Sequence, residues 1–277
     1  SVTMRSKAGW VVSAGSGPRA GTRRARSAVS VRCSSSGGSS PHGISLDDIR
    51  KASENIDGHA KRTPVFTNET ISRMAKVDDL HFKMEVFQKT GSFKIRGALN
   101  AIMNLSEEEA KKGVVTHSSG NHAQAVALAA KIRGIPAHIV VPENAPRVKV
   151  AAIEHYGGKL HFCGLDLEDR ESTMKRVQEE QGGCPFIPPF NAVDTICGQG
   201  TIGLELMEQT ENKLDAIVVP VSGGGMISGI AIAAKAINPD IKIIAAEPLG
   251  VNEAADIYAS KRLGELLALP KTKTLAD

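Results

Sequence analysis

Parallel β-sheets flanked by helices, arranged in two lobes, are the α/β architecture this 277-residue chain predicts. Three observations carry that assignment. From about residue 45, short β-rich apolar runs alternate with amphipathic helical stretches, as expected where helices cover a parallel sheet on both faces. Two of those helical stretches close on glycines, Gly134 and Gly157, placed to take the left-handed conformation that ends a helix. A Pro188-Pro189 pair then interrupts the alternation and marks a boundary. The expected organisation is a tail at 1–44, a large lobe from 45–113 plus 191–277, and a smaller lobe at 114–190 inserted into it.

The elements follow in order. Leu46 to Gly58 predicts a helix capped by Ser45, with Asp47 and Asp48 in its first turn. His81 to Phe87 alternates apolar and polar residues and predicts a half-buried strand. Ser92 to Leu105 is expected to be helical. Val114–Thr116, Ala137–Val141 and Leu160–Cys163 are predicted strands, with helices at Asn121–Arg133 and Pro146–Tyr156 between them and another at Leu167–Gln181. Beyond the prolines come a helix from Gly200 to Gln209, a buried strand Ala216–Val221, a glycine-opened helix to Ile237 and a strand Lys242–Ala246.

Charge is unevenly placed. Residues 1–46 hold seven basic residues (Arg5, Lys7, Arg19, Arg23, Arg24, Arg26, Arg32), twelve serines and no Asp or Glu. Of 34 basic and 30 acidic residues, 27 basic and all 30 acidic ones lie in the body, which therefore carries −3 rather than the whole chain's +4. That excludes a basic nucleic-acid groove. The tail has the composition of an organellar transit peptide, with Val31-Arg32-Cys33 similar to a chloroplast processing step; a disordered tail on a cytoplasmic protein is the plain alternative. No run approaches the ~18 apolar residues of a membrane-spanning helix. Cys33, Cys163, Cys184 and Cys197 have neither zinc-site spacing nor the density of a disulfide scaffold.

Three short stretches carry the chemistry. Lys94, in Lys89-Thr90-Gly91-Ser92-Phe93-Lys94, opens a helix, where the dipole disfavours a cation; with partial burial this makes a better nucleophile toward an aldehyde. On that local argument Lys89 and Arg96 are equally available. His117-Ser118-Ser119-Gly120-Asn121-His122 joins a strand to a helix at the carboxyl edge of the sheet, where helix-start amides with Ser and Asn side chains can grip a carboxylate or phenolic oxygen. Helix capping explains one such polar residue well and five in a row badly. Ser222-Gly223-Gly224-Gly225-Met226 follows a buried strand and opens a helix, which makes a cup of backbone amides for a phosphate. It lacks the spacing of a dinucleotide fingerprint or a P-loop, so it suits a monophosphate.

Together these stretches, with Gly198-Gln199-Gly200-Thr201 and Ala246-Glu247-Pro248, resemble the pyridoxal-phosphate enzymes of the tryptophan-synthase-β type (fold type II) from about residue 45 onward. Within that group the chain is most similar to the serine racemase and threonine dehydratase family, especially its plant members. The resemblance implies a racemase with serine/threonine dehydratase (ammonia-lyase) activity on small amino acids, working as a homodimer. It makes Lys94 the Schiff-base lysine and puts Phe93 beside the cofactor ring. Asn121 falls at the phenolic oxygen, and Gly223, Gly224, Gly225 and Met226 fall at the phosphate. Ser118, Ser119 and His122 line the substrate carboxylate site, with Ser119 facing Lys94 across the cofactor. It also implies a Mg2+ or Ca2+ site from Glu247, a carbonyl near Val251, and Glu253, where many relatives have Asp. An ATP effector site would use Lys89, Thr90, Gln124 and Asn191. The family continues beyond the position of Asp277 with a stretch facing the pyridine nitrogen, so a C-terminally truncated chain is expected. A dedicated threonine dehydratase, or a non-catalytic cofactor-binding chain, are the alternative readings.

Overall fold

The structure, a computed structural model, describes residues 2–5, 11–14 and 43–247. Within the expected tail, β1 (Val2–Arg5) and β2 (Val11–Ala14) pair antiparallel. The body opens with α1 (Leu46–Ile56), capped as the sequence predicts. Ser45 accepts from the Asp48 amide while the Asp48 carboxylate accepts from the Ser45 amide, so two otherwise orphaned donors are satisfied. β3 (Val65–Thr67), α2 (Glu69–Ala75) and β4 (His81–Lys83) form a small antiparallel unit, of which only β4 was expected. That strand stops early. Residues Glu85–Phe87 turn into a 3-10 helix that leaves Val86 and Phe87 exposed and brings the Glu85 carboxylate inward to the Arg96 guanidinium and the Thr63 hydroxyl. A buried ion pair thus overrides the period-two pattern.

Next, α3 (Lys94–Met103) begins two residues later than predicted, because Ser92 is extended. Ile95, Leu99 and Ile102 form one fully buried stripe on it, worth about 1.5–3 kcal/mol per side chain. After the short α4 (Glu107–Lys111), strands β5 (Val114–His117), β6 (Ala137–Pro142) and β7 (Gly158–Cys163) make a parallel sheet in that order, with α5 (Asn121–Arg133), α6 (Arg147–His155) and α7 (Leu167–Glu180) as their crossovers and cover. Strand β6 is buried along its whole length. Ala137, Ile139 and Val141 join the core under α5, while Val140 packs with Val177 of α7 on the other face. Phe186 adds an isolated parallel bridge to Val115, extending the β5 edge.

The last unit holds α8 (Val193–Gln209), β8 (Ala216–Pro220), α9 (Gly225–Ile237) and β9 (Lys242–Ala246), with β8 and β9 parallel. Helix α8 starts at Val193, not Gly200. Its glycines are interior positions where neighbouring helices come close: a Cβ on Gly198 would lie 2.5 Å from the Arg96 carbonyl oxygen. Tertiary packing here outweighs the roughly 1 kcal/mol cost of glycine inside a helix. The 114–190 segment has its own sheet, yet α5 packs on α3, so Leu99 and Ile139 belong to one continuous apolar core.

Candidate active site

Lys94 is the first residue of α3, and its side chain folds under the chain rather than into solvent. Its Nζ donates to the Pro189 carbonyl at 2.8 Å and stands 5.2 Å from the centroid of the Phe93 ring. Burial pushes its pKa below the usual lysine range. Among the described residues no carboxylate offsets that cost. Desolvation thus acts in the same direction as the helix-start field invoked from the sequence.

The glycine turn links β8 to α9. Gly224 caps the helix with φ +83°, a left-handed conformation that favours glycine, and the first amides of α9 have no acceptor within the helix. A Cβ on Gly223 would come within 2.3 Å of the Phe190 ring, and one on Gly225 within 2.4 Å of the Phe190 carbonyl oxygen. Between Phe190, Asn191, Ser228 and the turn lies a cleft of about 190 Å³. Consecutive residues thus serve two ends of one site: Pro189 holds the Lys94 amine, and Phe190 lies on the glycines. A largely desolvated amine with a lowered pKa, beside a side-chain-free helix start, fits an aldehyde that carries a phosphate.

The Ser118–His122 motif joins the same segment from the other side. Ser118 and Ser119 are half-buried after β5, the Ser118 hydroxyl accepts from the Gly120 amide at 3.2 Å, and Asn121 opens α5. His122 is 4 % exposed, and its Nε2 donates to the Ile187 carbonyl at 2.9 Å, which leaves Nδ1 buried without a partner. Burial lowers its pKa to about 4, aided by the charges of Lys94 and His117 nearby. So His122 is a neutral imidazole committed to the backbone of the 187–190 segment.

Of the expected nucleotide residues, Lys89 and Thr90 lie in a turn that packs on α5, which carries Gln124; Thr90 has φ +63° and a buried hydroxyl without a partner. Asn191 instead lines the glycine cleft. Glu247 follows β9 at the same sheet end as the glycine turn, since Pro220 pairs with Ala246. Val251 and Glu253 lie outside the described residues, and among those described no cluster of three metal-ligating side chains forms.

Local sequence reasoning missed two groups. Phe190 carries no motif. Arg96 was weighed as an alternative to Lys94, but it is fully buried: its guanidinium donates to Glu85 at 2.8 Å, to Glu205 at 2.6 and 2.9 Å, to the Thr201 hydroxyl and to the Lys61 carbonyl. Lys83 reaches Glu205 at 2.5 Å. Burial opposes charge at both Arg96 and Glu205. The mutual hydrogen bonds win, holding Arg96 protonated and the Glu205 carboxyl below its usual range. This cluster pins the start of α3, and so Lys94, to α8. No local signal connects residues so far apart in sequence.

Known proteins agree with the geometry. Residues 56–277 match the family model described as pyridoxal-phosphate dependent enzyme. Serine racemase of Oryza sativa subsp. indica is 52% identical over 242 residues, covering 87% of this chain and 70% of that protein. The structure of maize serine racemase matches with 53% identity and a TM-score of 0.79, over 84% of this chain and 69% of the other. The processed form of threonine deaminase isoform 2 from Solanum lycopersicum matches with 34% identity and a TM-score of 0.78, over 92% of this chain and 68% of the other. With the buried Lys94 amine, the glycine cup and this likeness in hand, the chain belongs to the family of pyridoxal-phosphate dependent enzymes.

Proposed function

We propose that this enzyme racemises serine and eliminates water and ammonia from serine or threonine, with Lys94 and Ser119 as its two acid–base groups. The observation that carries the reading is the convergence of three distant motifs on residues 187–190, next to an amine that burial makes a better nucleophile. About 50% identity to serine racemases supports the substrate class.

Pyridoxal phosphate, when bound, supplies an electron sink that acidifies the substrate Cα–H. The chain's own residues do the rest. The amides of Gly223, Gly224, Gly225 and Met226 would hold its phosphate at the α9 N-terminus, where the helix dipole favours an anion. Phe93 would flank its ring and Asn121 would donate to its phenolic oxygen. Ser118 and Ser119, with the amides that open α5, would take the substrate carboxylate. Lys94 takes the Cα proton on one face and Ser119 returns one on the other, inverting the centre. An unassisted hydroxyl is a weak acid–base group, so Ser119 needs a neighbouring phosphate or water to tune it. Loss of the β-hydroxyl in place of reprotonation gives the elimination.

The finer part of the proposal puts Mg2+ or Ca2+ on Glu247, the Val251 carbonyl and Glu253, ATP on Lys89, Thr90, Gln124 and Asn191, and two copies in the active assembly. Oxygen ligands of that kind suit those ions. Titration of each effector against the purified protein, and its mass in solution, test these points. The central test follows D-serine and pyruvate separately from L-serine. Both should form and both should vanish in Lys94→Ala, while Ser119→Ala should lose racemisation and retain elimination from one enantiomer. Pyruvate without D-serine would favour a threonine-deaminase-like enzyme, a reading the Solanum structure supports.

A further inference from the structure

We propose that His122 is a positioning residue for Lys94, acting through the Ile187–Phe190 segment, and that it does not meet substrate. The inference rests on the reading of Lys94 as the reactive amine and adds how the fold sets it.

Four successive residues of this segment each grip a different element. At Ile187 the amide donates to the Val115 carbonyl at 2.9 Å, and the carbonyl accepts both from the Thr116 hydroxyl and from His122 Nε2, each at 2.9 Å. Both lone pairs of that oxygen are used. The Pro188 carbonyl accepts from the Thr195 hydroxyl of α8 at 3.2 Å, and the Pro189 carbonyl accepts from Lys94 Nζ at 2.8 Å. Phe190 then rests on Gly223 and Gly225.

Two prolines make this strap stiff. Each has a fixed φ and no amide to satisfy, and each restricts the residue before it to extended backbone. A displacement at Ile187 therefore travels to Pro189 instead of being absorbed between them. The doubly held Ile187 carbonyl is the anchor, and the Pro189 carbonyl is the far end.

The chemistry at both ends explains why the anchor is a histidine in its neutral form. Nε2 must carry the proton to donate to a carbonyl, so Nδ1 is a bare acceptor buried without a donor. An imidazolium here would add a second cation beside Lys94, with His117 as a further titratable neighbour. A neutral donor holds the strap without that repulsion. At the far end, a neutral carbonyl fixes the amine in place without stabilising its charge as a carboxylate would. Pro188 and Pro189 are half-buried beside the amine, so loosening them would admit the water that returns it to ordinary lysine behaviour.

The experiment is competitive acetylation of the cofactor-free full chain across a pH series. Lys94 is read against the exposed Lys51 and Lys111 by peptide mass spectrometry, with circular dichroism as the check on folding. In the unsubstituted protein Lys94 should titrate below the two references; if it titrates with them, the reading of Lys94 itself fails. His122→Leu, similar in volume but without a donor, should let water in and raise the Lys94 midpoint by about one pH unit, roughly a tenfold drop in labelling at neutral pH. His122→Gln, which keeps an uncharged N–H donor, should restore most of it, and Thr116→Val should give a smaller shift in the same direction. A folded His122→Leu protein whose Lys94 titrates as before overturns the proposal, as does a Gln variant no better than Leu. Should His122→Leu fail to fold, an unshifted Lys94 in folded Thr116→Val overturns it instead.

Discussion

Replacing Arg96 with leucine should cost this fold about 3–5 kcal/mol, because it removes one side of a buried charge cluster and strands the other. Arg96 is fully buried and makes two contacts to Glu85 and two to Glu205. Without it Glu85 keeps the Thr63 hydroxyl, and Glu205 keeps Lys83. Each carboxylate then holds a buried charge against less than it needs. Since domains of this kind have about 5–15 kcal/mol in hand, the loss is a large fraction of the whole. With a urea slope of about 1–3 kcal/mol per molar, the midpoint should fall by more than 1 M. Arg96→Lys should recover part of this, as three donors on a flexible stem cannot replace a planar fork that meets two carboxylates. The sign of the pH dependence also follows. The Glu205 carboxyl is held below its ordinary range, so its contribution is full above the unfolded-state value and is lost as pH falls through the lower folded-state value. Unsubstituted and Arg96→Leu proteins should therefore converge in stability on acidification. Urea unfolding followed by circular dichroism, at neutral and at acid pH, measures both effects. A neutral-pH difference below about 1 kcal/mol would mean the cluster is solvated like a surface pair, and the reasoning would be wrong.

Three further outcomes are expected. Gly198→Ala should destabilise by about 1–3 kcal/mol in thermal melts, since its methyl meets the Arg96 carbonyl and Gly97 backbone, which cannot swing aside; a neutral result would show that α8 and α3 can slide apart. Gly225→Ala should weaken pyridoxal phosphate binding in equilibrium dialysis by about tenfold or more, because its Cβ would strike the Phe190 backbone and open the cup. For His122, the folded value of about 4 lies below the unfolded 6.5, so the unfolded chain binds the extra proton first. Stability should fall by up to about 3 kcal/mol as pH drops through that window, and His122→Gln should flatten the profile; an unchanged slope would refute a buried neutral imidazole.

Much of the frame was legible because its causes are local. The Ser45–Asp48 cap, the Gly134 helix end and the β-rich runs of β5, β6 and β8 each follow from contacts within a few residues. The same locality explains the misses. His81–Phe87 has a strand's alternation, yet Glu85 is drawn inward by an arginine eleven residues on. Gly200 looked like a helix start, but α8 runs from Val193, since the glycines are there for close helix contact. Short elements such as β3 and α4 carry too few residues to show a period.

From its order of residues alone, this chain declares an α/β body, a lysine at a helix start, a polar helix start and a glycine turn that opens a helix, because backbone conformation and helix ends depend on near neighbours. The local helix-start argument leaves Lys94 and Arg96 equal; tertiary packing gives the physical difference, sending one amine to a lone carbonyl and locking the other cation among carboxylates up to 109 residues away. It also commits His122 Nε2 to the Ile187 carbonyl, just ahead of the Pro188-Pro189 pair. Desolvation and pairing are properties of surroundings, and the surroundings come from distant segments.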